Sequence, residues 1–200
     1  WVQSVLRCYT ETIRSSDRAD PCYHSGRLTR DMPDTVIRVA LIGCGRIAGH
    51  HIRSIAAVDG VELAAVCDLE IEKAIAYSDE TGVAYFSNYR EMLSVHKDID
   101  TVAVITPSGM HFEHTMEMLE EFRRHVIIEK PTFMRPDQLV EAYARADELG
   151  LGLFPVFQNR YNKAVRRVKL ALDSGELGEV RTVSVRLRWC RPQRYYDLAP

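Results

Sequence analysis

Between residues 36 and 157 short apolar runs alternate with stretches of helical spacing, an order that admits few folds. The runs at 36–42, 61–67, 101–105, 125–128 and 151–157 are continuous, not alternating. Strands of that kind are covered on both faces, as in a parallel sheet with helices on either side. Helices are expected at 46–57, 70–81, 111–123 and 136–149, with a helical turn near 89–94 and a short extended piece at 84–86. Pro136 suits the first turn of its helix, and Gly150 its C-terminal stop. The fold class that follows is α/β, a doubly wound parallel sheet.

The two ends of the chain read differently. Residues 1–34 show no sustained period, mix Arg with Asp and Glu, and contain the breakers Asp20-Pro21 and Ser25-Gly26. Their acids argue against a mitochondrial presequence. They are expected to be a leader that is either disordered or an artificial extension, with Met32 close to the natural start. Residues 35–157 form the sheet domain. From 158 the character changes: a helix at 162–173 closes at Asp173-Ser174-Gly175, and 180–189 alternates Val183, Val185, Leu187 and Trp189 with Thr182, Ser184, Arg186 and Arg188. This reads as a half-buried strand opening an α+β domain with a mixed or antiparallel sheet. Residues 158–200 are thus expected to be its truncated start, with the apolar row left exposed or poorly ordered.

Composition excludes several classes. Formal net charge is −2, so the whole chain offers no electrostatic case for nucleic acid or a membrane surface. No apolar run approaches the length of a membrane span. The five cysteines (Cys8, Cys22, Cys44, Cys67 and Cys190) are scattered, odd in number and without a CxxC pair, which favours reduced thiols in the cytoplasm.

The first apolar run passes straight into Gly43-Cys44-Gly45-Arg46-Ile47-Ala48. Strand, glycine turn and helix start match the GxGxxG/A dinucleotide fingerprint, with Ala48 in the third small position. Gly43 permits the tight turn, and Gly45 has no side chain to hold a pyrophosphate away. Cys44 contributes its backbone, and the helix N-terminus favours the phosphates. The second run ends at Asp68, whose carboxylate can accept from the ribose hydroxyls; a helix-capping role is the alternative. The first cation after Asp68 is Lys73, and a 2′-phosphate beside the acid would be repelled. The expected cofactor is therefore NAD.

Ligands of an open parallel sheet gather at the carboxyl ends of its strands. Thr106-Pro107-Ser108 and Glu129-Lys130-Pro131 fall at two more such ends. Lys130 stands at such a strand end, where a ligand would meet it; an exposed lysine before a helix-starting loop is the alternative. Glu129 either contacts the cofactor or orients Lys130. His111 and His114 are spaced i, i+3, but no further ligand completes a metal site, so a surface pair is expected and no metal. His50 and His51, in the first helix, read as solvent or packing residues.

In combination, strand–GxGxxA, the acid after the second strand, TPSGxH at 106–111 and EKP at 129–131 resemble the glucose–fructose oxidoreductase / inositol dehydrogenase / MocA family over residues 36–200. The resemblance implies an NAD-dependent oxidoreductase in which Gly43, Cys44, Gly45, Arg46, Ile47, Asp68, Thr106, Pro107, Ser108, His111, Glu129 and Lys130 contact the cofactor; for His111 a place as a helix N-terminal residue is the alternative. It gives Lys130 the catalytic acid/base role, taking a proton from a sugar hydroxyl as hydride leaves the same carbon or holding that hydroxyl, before a proline that is often cis. The family's second acid/base pair, an Asp followed by a His, is not reached before the sequence stops. By analogy the whole protein is a homo-oligomer.

Residues 158–194 carry ten Lys or Arg against three acids. No stacking aromatic array accompanies them, so an anionic small substrate is preferred to nucleic acid, with a solvated helix face for Arg166, Arg167 and Lys169. The segments at 157–162 and 189–197 are similar to a branch of bacterial nucleotide-sugar dehydrogenases acting at C3 of UDP-N-acetylglucosaminuronic acid in polysaccharide biosynthesis. That similarity makes Lys130, Gln158, Asn159, Arg160, Arg191 and Arg194 the candidate substrate contacts, the arginines serving carboxylate and pyrophosphate. Two alternatives stay open: an inositol or free-aldose dehydrogenase, and a non-catalytic NAD-binding sensor or scaffold.

Overall fold

Apolar runs with no polar face to offer water pair side by side. The computed structural model describes residues 36–197; the expected leader lies outside them. The chain forms two compact units divided between Tyr161 and Asn162. In the first, β1 (Ile37–Ile42), β2 (Val61–Cys67), β3 (Ala84–Phe86), β4 (Thr101–Val104), β5 (His125–Ile128) and β6 (Leu153–Pro155) make one sheet in the order β3-β2-β1-β4-β5-β6. All five pairings are parallel. Helices α1 (Ala48–Ala56), α2 (Ile71–Thr81), α3 (Tyr89–Val95), α4 (His111–Glu120) and α5 (Pro136–Leu149) link the strands.

Both faces of the sheet are covered, which is why the runs lack alternation. Val39, Leu41, Ala103 and Ile127 pack on one face in a cluster with Ala48 and Ile55 of α1 and Ala74 of α2. Ala40, Ile42, Val102, Val104 and Ile128 pack on the other with Met92, Met118, Leu119, Ala142 and Ala146. Pro136 stands in the first turn of α5, and Gly150 closes it at φ 65°. Helix α4 stops at Glu120, short of the expected 123, where Arg123 takes φ 54°. That reversal has no glycine to signal it. From β1 the chain goes out to β2 and β3, then returns to β4 on the opposite side. The crevice at the carboxyl ends of β1 and β4 is therefore the topological switch point, where ligands of such sheets bind.

The second unit opens with α6 (Lys163–Asp173), capped by the Asn162 side chain, which accepts from the Ala164 amide at 2.9 Å. Part of its basic face is spent locally: Arg167 pairs with Glu176 and Lys169 with Asp173. The expected strand at 180–189 is not formed; the segment has no regular structure. A strand needs a neighbour to complete its ladder, and among the described residues none pairs with it. Val183, Val185, Leu187 and Trp189 are accordingly exposed, each at 72% or more. A short helix, α7 (Gln193–Asp197), follows.

Candidate functional site

The glycine turn is built into the switch point. Gly43 has φ 102°, and a Cβ placed on it would lie 2.7 Å from the Ile105 carbonyl oxygen at the end of β4. Its amide donates to the Cys67 carbonyl at 2.8 Å, so the turn is tied to β2 as well. Gly45 differs: a Cβ there would meet nothing within 4 Å. The backbone is open to a phosphate at that point and nowhere pressed by the protein. Helix α1 begins at Ala48 without a side-chain cap and without an acid in its first turn. That leaves its N-terminal field available to an anion. Ala48 is fully buried, as the third small position requires.

Asp68 is held at the end of β2 by two amides. Oδ2 accepts from Cys44 at 2.6 Å, and Oδ1 accepts from Glu70 at 2.9 Å. The second bond is to the amide of Glu70, the N-cap residue of α2, a helix with no side-chain cap, so Asp68 does not cap it. A carboxylate has about four acceptor positions; two remain for further donors. Lys73, the nearest following cation, pairs with Glu70 at 2.6 Å. The Cys44 amide is engaged by Asp68, and its thiol donates to the Cys67 carbonyl. Burial, then the Asp68 charge, pushes both thiols up to about 12. Cys44, Cys67 and Cys190 are free.

At the ends of β4 and β5 two loops are fastened together by His111. His111, 1% exposed, sets Nδ1 2.8 Å from the Pro131 carbonyl and Nε2 2.8 Å from the Thr106 carbonyl. Carbonyls only accept, so a neutral ring satisfies one of them and the imidazolium satisfies both. His114 lies 3.0 Å from the Thr106 hydroxyl through Nδ1 and stands edge-on to Tyr89. Burial holds its pKa below the ordinary histidine value; Glu113 raises it somewhat and His111 lowers it further. The expected surface pair is thus two buried residues on the inner face of α4, each pinned to Thr106. His111 faces backbone carbonyls, not open space, and braces the loop instead of lining it. Among the described residues no cluster of ligands suits a metal.

The Lys130–Pro131 peptide is cis, and the Lys130 side chain is exposed. Glu129 before it is buried, and its two oxygens are engaged: Oε1 with His51 Nε2 and Oε2 with the Lys130 amide, both at 2.9 Å. Burial alone raises a carboxyl; here hydrogen bonds from His51 and the Lys130 amide, with their charges, outweigh it and hold Glu129 below the usual range. Glu129 thus holds the Lys130 backbone through Oε2. His51 itself, read from sequence as a solvent or packing residue, is 1% exposed. Its spacing carried a signal: Ala48, His51 and Ile55 share the buried face of α1, so a polar ring there required a buried partner.

Arg46 is exposed and Ile47 half-buried in the glycine turn; Pro107 is exposed and Ser108 half-buried after β4. Gln158, Asn159 and Arg160 lie in a 3-10 turn after β6, at the same sheet edge. Arg191 and Arg194 belong to the second unit, where Arg191 stacks on Trp189 with 5.1 Å to the ring centroid.

The GFO_IDH_MocA family model, an oxidoreductase family with an NAD-binding Rossmann fold, matches residues 37–157. The chain belongs to that family. Its sheet domain is accordingly the family's NAD-binding domain. It is 32% identical over 161 residues to D-glucoside 3-dehydrogenase of Escherichia coli K12, covering 80% of this chain and 46% of that protein. It is likewise 32% identical to inositol 2-dehydrogenase 1 of Mycolicibacterium vanbaalenii, over 71% of this chain and 42% of the other. The WlbA dehydrogenase of Bordetella pertussis, solved with NADH and UDP-GlcNAcA, superposes with a TM-score of 0.76 at 39% identity, over 82% of this chain and 50% of that one. The chain spans about half the length of these relatives.

Proposed function

We propose that the protein carrying this chain is an NAD-dependent dehydrogenase of a nucleotide sugar, oxidising a secondary alcohol such as C3 of a UDP-N-acetyl-hexuronate. The observation that supports this most is the exposed Lys130, set on a clamped segment at the end of β5 beside the end of β4. Gly43, Cys44, Gly45, Arg46 and Ile47 would hold the pyrophosphate, Asp68 the adenosine ribose, and Thr106, Pro107 and Ser108 the nicotinamide side. Bound NAD supplies a hydride acceptor. Lys130 takes the hydroxyl proton as hydride leaves the same carbon, and a ketone remains. Arg160, Arg191 and Arg194, with Gln158 and Asn159, would serve the anionic groups of the substrate.

The 39% identity to a dehydrogenase solved with UDP-GlcNAcA favours a nucleotide sugar. The 32% identity to an inositol 2-dehydrogenase supports a second reading, a polyol or free sugar. Free buried thiols support a reducing compartment such as the cytoplasm, and the exposed row from Val183 to Trp189 supports a homo-oligomer joined there. The test is to supply UDP-N-acetylglucosaminuronic acid, myo-inositol and glucose separately with NAD and follow NADH absorbance. NADH from the UDP-sugar is expected; NADH from inositol or glucose alone moves the assignment to the second reading, and none from any sinks both.

A further inference from the structure

A buried carboxylate is costly unless paired, and at the end of β5 an apolar residue would pack at no such cost. The chain instead places Glu129 there, 5% exposed, and satisfies it from two sides. One partner is the backbone amide of Lys130; the other is His51, on the inner face of α1. With Glu129 ionised, His51 Nε2 must carry the proton it donates. Helix α1 is the helix that follows the glycine turn. A continuous set of bonds therefore runs from that helix through His51 and Glu129 to the Lys130 backbone. On the other flank the Pro131 carbonyl is tied to His111, the first residue of α4.

We propose that His51 is a positioning residue for Lys130, acting through Glu129 to lock the lysine segment to the helix of the cofactor turn. The inference rests on the reading of Lys130 as the acid/base. What His51 fixes, through Glu129, is the backbone from which that ammonium projects. Hydride transfer tolerates little misplacement of the group that removes the proton, and an error of about 1 Å costs on the order of a hundredfold.

The test compares wild type, H51L and H51Q in the whole protein, because the glutamine amide reaches where Nε2 stands and can donate to Glu129. Two readouts are taken. The first is the pH titration of the Lys130 amide NMR signal, which reports Glu129 ionisation and needs no turnover. The second is kcat with UDP-N-acetylglucosaminuronic acid and NAD, alongside NADH affinity by fluorescence. H51L is expected to move the amide titration to higher pH and lower kcat by about 10- to 100-fold, with NADH affinity within about threefold of wild type. H51Q is expected to restore both. An amide titration unmoved in H51L, or a kcat unmoved while the titration shifts, overturns the proposal. Should H51L not fold, H51Q decides: wild-type titration and kcat uphold the linkage, and a lost kcat with an unchanged titration overturns it. Should the wild type reduce no NAD, the functional reading falls by itself, and the amide titration alone decides whether His51 holds the Lys130 segment.

Discussion

Gly43 and Gly45 lie two residues apart in one turn, yet a methyl group added to each should do opposite things. In G43A the new Cβ lies 2.7 Å from the Ile105 carbonyl oxygen and 2.9 Å from its carbon, on a residue held at φ 102°. Both neighbours are backbone at a strand end and cannot rotate away. The conformation costs about 1–2 kcal/mol, and the clash about 1–3 kcal/mol more. A loss of about 2–5 kcal/mol is a large share of the roughly 5–15 kcal/mol typical of a domain. In G45A the methyl meets no atom within 4 Å, and the backbone has no positive φ. Stability should hold, or rise by up to about 1 kcal/mol through a stiffer unfolded chain. The same methyl fills the space a pyrophosphate needs, so NADH affinity should drop at least about tenfold, or 1.4 kcal/mol. Urea unfolding and NADH fluorescence titration of both variants make the comparison. A G43A variant as stable as wild type would refute the packing argument; G45A binding NADH as tightly as wild type would refute the assignment of the turn to phosphate.

Two other residues carry predictions. Asp68→Ala removes the acceptor of the Cys44 and Glu70 amides as well as the proposed ribose ligand; NADH affinity should fall about tenfold or more and stability by about 1–3 kcal/mol, measured by the same titration and urea curves. An unchanged NADH affinity would remove Asp68 from the site. His125 Nδ1 accepts from the Gly152 amide at 2.8 Å, and burial, then Arg124, holds its pKa at about 4 against 6.5 for the free side chain. The unfolded chain takes the proton first, so this contribution is complete above pH 6.5, is lost as pH falls toward 4 and is flat below. About 3 kcal/mol is at stake over that window. Asn at position 125 keeps an acceptor without titrating, so urea midpoints of H125N should lose this part of the acid dependence; identical pH profiles would show His125 is not its source.

Much of this was legible because the informative residues speak through their neighbours in sequence. Continuous runs imply a sheet covered on both faces, and Gly43, Asp68, Thr106 and Glu129 each sit directly after such a run, so the topology alone brings them to one edge. Contacts between elements distant in sequence were not legible. His51 and Glu129 are 78 residues apart, and nothing local announces the pair except a histidine on an apolar helix face. His111 and His114 were misplaced for a similar reason: i, i+3 spacing puts both on one face without saying which face turns inward. The row from Val183 to Trp189 alternates as a strand should, but alternation states a preference for a ladder and cannot supply the partner.

Lys130 is the residue on which the proposed chemistry depends. The direct measurement is NADH formation from UDP-N-acetylglucosaminuronic acid by wild type and Lys130→Ala, with NADH affinity determined for both. General acid–base catalysis by one side chain is worth about 10²–10⁴-fold; turnover should fall by at least that much in the variant while NADH binding stays close to wild type. A variant that turns over undiminished, with NADH still bound, would contradict the catalytic role of Lys130.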